Sequence, residues 1–168
     1  MAATVPRTKL AAVNAMLEDV GDRPVNSLAG SSRRDVTRAI STLDDFSRMV
    51  QSRGWWFNTE RRRITVDGSG YYNIPDDIVH VEVEAGGPTT GQYDATPLLV
   101  IREGRLYDTA NATDVFTGEP YIDVIVFKLL EFEKLPTNAR EYIYAGARAH
   151  AVHQVQALPL HRRTSKFP

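Results

Sequence analysis

A chain of 168 residues is the size of one compact domain or two small ones, and its 42% hydrophobic and 24% charged residues exclude wholesale disorder. The lack of cysteine excludes disulfides, thiolate metal sites and thiol catalysis, and no run approaches the roughly 18 apolar residues of a membrane span. The net charge of -1 conceals an uneven distribution that can steer association: residues 1–66 hold 11 Lys+Arg against 7 Asp+Glu, residues 67–135 hold 4 against 13, and residues 136–168 hold 5 against 1.

Residues 1–9 lack the long apolar core of a signal peptide, which fits synthesis in a cytosol. Leu10, Val13, Leu17 and Val20 recur at spacings of three and four, predicting a first helix with one apolar face, supported by Ala11, Ala12 and Ala15 and stopped by Gly21. Residues 22–32, with Pro24 and Gly30, read as a connector, and Ser32 with Asp35 forms a capping-box-like start to a second helix. That helix repeats Val36, Ala39, Ile40, Leu43, Phe46 and Val50 before Gly54 ends it, a span of roughly 20 residues or about 30 Å. Two helices joined by a short loop pack antiparallel, so residues 10–53 are expected to form an αα-hairpin.

From Trp55 the period changes. Trp55-Trp56-Phe57 and Ile64-Thr65-Val66 are rich in strand formers, and Asp67-Gly68-Ser69-Gly70 punctuates them before a further β-prone stretch at 71–74. Ile78, Val79, Val81 and Val83, with His80, Glu82 and Glu84 between, predict a strand wet on one face, followed by a loop marked by Gly86, Gly87, Pro88 and Gly91. Residues 98–102 and 105–108 flank Glu103-Gly104, a two-residue link that predicts a tight hairpin. Residues 121–132 are the longest β-prone run and predict a central strand, which Pro136 terminates. Thr137 or Asn138 caps a third helix that carries Ala139, Tyr142, Ile143, Gly146, Ala149 or His150, and His153 on one side, and Pro159 ends it.

Strands enclosed by helices predict an α+β fold: an antiparallel helical bundle (residues 7–53 and 137–158) with an inserted, mainly antiparallel β-sheet domain (55–135) and a basic C-terminal tail (159–168).

Catalytic chemistry finds little support. Asp76-Asp77 and Glu82, Glu84 are the features that could serve two-carboxylate hydrolysis, but they read better as surface carboxylates, since adjacent strand residues face opposite sides. His150 and His153 stand at i, i+3 without further metal-ligand spacing, and no nucleotide-binding or serine-nucleophile motif is present. Arg61-Arg62-Arg63 beside Trp55, Trp56 and Phe57 resembles the mix used on single-stranded nucleic acid, yet the chain lacks a large basic surplus. The favoured reading of these arginines is an inter-subunit salt-bridge belt or a solvated edge. No cofactor is expected.

The run Gln51-Ser52-Arg53-Gly54-Trp55-Trp56-Phe57-Asn58-Thr59-Glu60 resembles the QSRGW-x-FN-x-E signature of the tail tubular protein A family of T7-like podoviruses. It is accompanied in order by Ala12-Val13-Asn14-Ala15-Met16-Leu17, Pro24-Val25-Asn26-Ser27-Leu28, Leu106-Tyr107-Asp108 and Phe132-Glu133-Lys134-Leu135-Pro136, so the resemblance covers roughly residues 8–157. It implies a structural virion protein of the tail, made in the host cytoplasm. Twelve copies would form an adaptor ring between the portal protein and the nozzle protein, tail tubular protein B, near the tail fibres, with genomic DNA passing through without sequence-specific binding and no membrane involved. Gln51, Ser52, Arg53, Gly54, Trp55, Phe57 and Asn58 are then a fold fingerprint at a helix-to-sheet corner that glycine turns and aromatics bury. Arg61, Arg62, Arg63, Arg162, Arg163 and Phe167 become candidate interface residues, and Asp76, Asp77, Glu82 and Glu84 candidate channel or interface carboxylates that repel DNA phosphates. Members of that family continue past the third helix with another acidic helical segment, whereas this sequence stops after His161-Arg162-Arg163-Thr164-Ser165-Lys166-Phe167-Pro168, so the portal contacts of that segment are not carried over. The rival expectations are a neck connector or head-completion protein of another phage type, a tail-associated polysaccharide hydrolase using Asp76, Asp77 or Glu82, and a monomeric DNA-binding module.

Overall fold

The structure is a computed structural model that describes residues 5–83, 99–118 and 120–156. It is a mixed α+β chain of three helices and antiparallel sheets, and it separates into two compact units. One comprises the described residues of 1–50 and 131–168, the other Gln51–Leu130.

In the first unit, helix α1 (Lys9–Asp19) begins where the Thr8 hydroxyl accepts from the Ala11 N–H at 3.1 Å. It ends as the sequence predicts. Gly21, at φ +76°, lets its own N–H reach Glu18 O at 3.0 Å and the Asp22 N–H reach Leu17 O at 2.8 Å, satisfying two carbonyls of the last turn. The buried face is Ala12, Val13, Met16 and Leu17, rotated from the expected stripe, with Leu10 and Val20 only half-buried. The Asn14 amide holds the connector by exchanging two 2.9 Å hydrogen bonds with the Val25 backbone.

Helix α2 (Arg34–Gln51) buries Val36, Ala39, Leu43 and Val50 as expected, together with Thr42 and Ser47. The capping box does not form with Ser32: the Arg33 carbonyl accepts from the Thr37 N–H at 3.1 Å, and Asp35 is engaged by the Arg33 guanidinium. Those paired hydrogen bonds hold the Asp35 carboxyl below its usual range. A 3₁₀ turn (Phe132–Lys134) precedes helix α3 (Thr137–Gln156), which buries Ala139, Ile143, Tyr144 and Ala147 and leaves Tyr142 exposed. Among the helices, α1 has its more extensive backbone neighbour in α3 rather than in α2, the neighbour that a short loop predicts. Arg148 clasps the Asp19 carboxylate, and Gly146 allows the Phe46 ring so near that a Cβ there would stand 2.2 Å from it.

In the second unit, strands β1 (Thr59–Thr65), β2 (Ile78–Val83) and β5 (Tyr121–Lys128) form an antiparallel sheet in the order β1-β5-β2. The predicted central strand is thus central, but it stops at Lys128. Its pattern buries Ile122, Val124, Val126 and Phe127 and leaves Asp123 and Ile125 half-buried, so one face is the core face. Strands β3 (Leu99–Arg102) and β4 (Arg105–Asp108) form a separate hairpin, so the described strands make two sheets instead of the single one anticipated. Glu103 and Gly104 both take positive φ, +50° and +73°, as a two-residue hairpin link requires. The stretch at 71–74 is only a bridge to β4, through Leu106 N–H to Tyr72 O at 3.0 Å and Ile74 N–H to Gly104 O at 2.8 Å. Tyr72, Leu106, Phe116 and Val124 are among the residues of this unit's apolar core, with the Tyr72 and Phe116 rings 4.8 Å apart. The Gly86–Gly91 loop and the 159–168 tail lie outside the described residues.

Candidate functional site

The fingerprint run folds as a locked corner at the start of the second unit. Trp55, Trp56 and Phe57 do not extend a strand; they form the turn before β1. Gln51, fully buried, clamps the far end of β5: its amide nitrogen donates to Leu130 O at 3.0 Å and its amide oxygen accepts from Leu130 N–H at 2.7 Å. Asn58, also buried, donates to both Gln51 O and Lys128 O at 2.8 Å and accepts from Trp55 N–H at 2.8 Å. Two side-chain amides therefore satisfy five backbone groups that are otherwise hard to pair at a break between helix and strand. Gly54, at φ +70°, packs against the edge of the Phe127 ring, where an added Cβ would lie 2.3 Å from the nearest ring atom.

The aromatics do not bury this corner. Trp55 is 42% exposed and Trp56 78% exposed, while Phe57 is half-buried. The Trp55 and Phe57 rings stack at 6.4 Å and 5°, and Trp56 meets Phe57 edge-on at 5.7 Å. Glycine and the two amides make the turn, so the indoles are available as surface. Ser52 and Arg53 are exposed.

Of the arginine run, Arg63 holds Asp123 across the strand pair with two 2.8 Å hydrogen bonds and covers the Tyr121 ring at 3.9 Å. These bonds hold the Asp123 carboxyl below its usual range. Arg62 lies 3.6 Å from Glu60, and Arg61 is exposed. Among the acidic candidates, Asp76 is exposed, Asp77 lies 3.3 Å from Lys128, and Glu82 lies 3.5 Å from His80. Asp76 and Asp77 sit in the turn before β2, with Glu82 on it. Glu84, Arg162, Arg163 and Phe167 lie outside the described residues. His150 and His153 are exposed, and among the described residues no three His, Asp or Glu side chains are grouped to hold a metal ion.

A family model described as tail tubular protein matches residues 10–162. The chain belongs to the tail tubular protein family. It is similar to tail tubular protein A of Klebsiella phage KP34, with 27% identity over 135 residues, which is 80% of this chain and 66% of the relative. The aligned stretch thus spans just under two thirds of that relative's length. Membership makes the chain a phage tail structural protein and a virion component.

For this tail tubular protein, two carboxylates escaped the sequence reading. Asp67 accepts from Ser69 N–H, Tyr71 N–H and the Asn73 amide at 2.8–3.0 Å, which holds it below its usual range and shapes the 67–71 loop. Asp108 is buried at the end of β4. Burial pushes its carboxyl up, but hydrogen bonds from the Asn111 side chain and from the Asn111 and Ala110 N–H groups outweigh that and leave it lowered. The only signal in sequence was Asp at the start of turn-rich stretches.

Proposed function

We propose that this chain is the subunit of a dodecameric adaptor ring that joins the portal protein to the nozzle protein, tail tubular protein B, and forms part of the DNA ejection conduit. The carrying observation is the family match across residues 10–162, which takes in the whole fingerprint corner. On this reading the domains are an antiparallel helical bundle of residues 7–53 and 137–158, an inserted sheet domain of 55–135 and a basic tail of 159–168.

The protein then works by assembly, without catalysis or a cofactor. A rigid corner suits that task, because a ring of repeated heterologous contacts closes only if each subunit holds one fixed shape. The clamp of Gln51 and Asn58 and the glycine-aromatic contact of Gly54 and Phe127 support such rigidity. Genomic DNA passes without sequence reading, tail fibres lie nearby, and the acidic segment 67–135 discourages phosphates from sticking.

The test is native mass spectrometry of the purified chain mixed with the portal protein of its phage. The expected product is a portal carrying twelve copies of the chain. A chain that stays unbound at micromolar concentration contradicts the proposal.

A further inference from the structure

The three-stranded sheet of the second unit has opposite charge at its two margins. In its register Arg61 stands opposite Ile125, and Ile125 stands opposite Glu82, so Arg61, Ile125 and Glu82 form one row across the sheet. Val81 and Val83 alternate with Glu82, and Val81 is buried, so Glu82 belongs to the face turned away from the core. That face therefore runs from a cation on β1 to a carboxylate on β2. Arg62 pairs in register with the buried Val124 and lies on the opposite face, 3.6 Å from Glu60, so Arg61 is the cation of this row; the exposed Asp76, in the turn that enters β2, extends the acidic margin.

Strand β1 is also an outer strand of its sheet. Lys128 N–H donates to Asn58 O at 2.8 Å and Val66 N–H to Pro120 O at 3.0 Å, which places the even-numbered positions of β1 in the ladder with β5. The odd-numbered positions, Arg63 and Thr65 among them, direct backbone N–H and C=O away from β5. Immediately before this edge stands Trp56, 78% exposed. An exposed indole, an outward-facing strand edge and an exposed cation on one margin are the ingredients of a docking surface.

We propose that neighbouring copies associate head to tail through these margins, the Trp56 and Arg61 margin of one copy docking on the Asp76 and Glu82 margin of the next. Translating one copy across the row brings Arg61 of the first toward Glu82 of the second, and the same step repeats without using up either margin. Contacts of that heterologous kind close rings, and opposite charges fix their order. The inference rests on the ring reading and names the surface that reading requires.

The experiment uses charge reversal and mixing, with ring formation on the portal protein read by electron microscopy. Variant one is Arg61→Glu; variant two is Asp76→Lys with Glu82→Lys. Both leave the Arg63–Asp123, Arg62–Glu60 and Lys128–Asp77 pairs intact, and variant two also removes the 3.5 Å Glu82–His80 contact. Each variant alone is expected to lose rings by at least about tenfold, because like charges then meet at every contact. Mixed in equal amounts they regain rings of alternating subunits, which also shows that both fold. Trp56→Ser lowers ring yield without moving the melting temperature. Rings from each variant alone at the wild-type level, or no recovery on mixing, overturn the margins while leaving the ring in place. If the wild-type chain forms no ring on the portal, the ring reading falls and the margins fall with it.

Discussion

Gly54→Ala tests whether the corner is held by backbone geometry and close packing. The substitution places a Cβ on a residue at φ +70°, which costs about 1–2 kcal/mol for an L-residue. It also drives that Cβ to 2.3–2.7 Å from three atoms of the Phe127 ring. The ring is buried and lies 5.0 Å from the His80 ring, so it cannot swing away freely, and overpacking of this kind adds about 1–3 kcal/mol. The sum is about 2–5 kcal/mol. Gly104→Ala is the control in the same unit: its φ is +73°, but the nearest atom to a new Cβ is Ile74 O at 3.8 Å, so only the conformational cost of about 1–2 kcal/mol remains. At about 4–8 °C per kcal/mol for a unit of this size, Gly54→Ala lowers the melting temperature by about 8–40 °C and Gly104→Ala by about 4–16 °C. The assay is thermal unfolding followed by the fluorescence of Trp55 and Trp56, both in this unit, with far-ultraviolet circular dichroism as second probe. Adding Phe127→Leu to Gly54→Ala should recover about 1–2 kcal/mol relative to the sum of the single changes. Equal losses for Gly54→Ala and Gly104→Ala, or strict additivity with Phe127→Leu, would refute the packing argument.

Three further outcomes are expected. Gln51→Leu leaves the Leu130 N–H and C=O without their partners in a buried place and costs about 2–5 kcal/mol, read by urea unfolding; a loss under about 0.5 kcal/mol contradicts the clamp. Asp108 has a lowered carboxyl in the folded chain, so its contribution is fully present above the unfolded value near about 3.9 and is lost as pH falls through the folded value; Asp108→Asn should flatten that acid-side loss in a melting-temperature series against pH, and an unchanged slope contradicts the assignment. Gly146→Val forces Phe46 aside and lowers helix stability by about 1–3 kcal/mol, measured by circular dichroism at 222 nm, whereas an unaltered melt shows that Phe46 moves without cost.

Much of the architecture was legible from local pattern. The long β-prone run from Tyr121 marked the central strand, although it buries one face and not most of both, Glu103-Gly104 marked the hairpin, and Gly21 marked the end of α1. Helix faces were harder to read where alanine and glycine dominate: α1 and α3 carry small residues on several sides, so the apolar stripe is nearly flat, and tertiary contacts with Asp19, Phe46 and Arg148 decide which side is inside. The role of Gln51 and Asn58 could not be read locally, because their partners Leu130 and Lys128 lie 79 and 70 residues away. The indoles misled for a physical reason. Aromatic residues favour strands and interiors alike, but here glycine and two amides satisfy the turn and release Trp55 and Trp56 to the surface.

Cryo-electron microscopy of purified tails with the chain labelled at its N-terminus tests the proposed ring between portal and nozzle most directly. The expected result is twelve labels around the axis at one level, between the portal and the nozzle. Labels on the fibres or inside the head would contradict it.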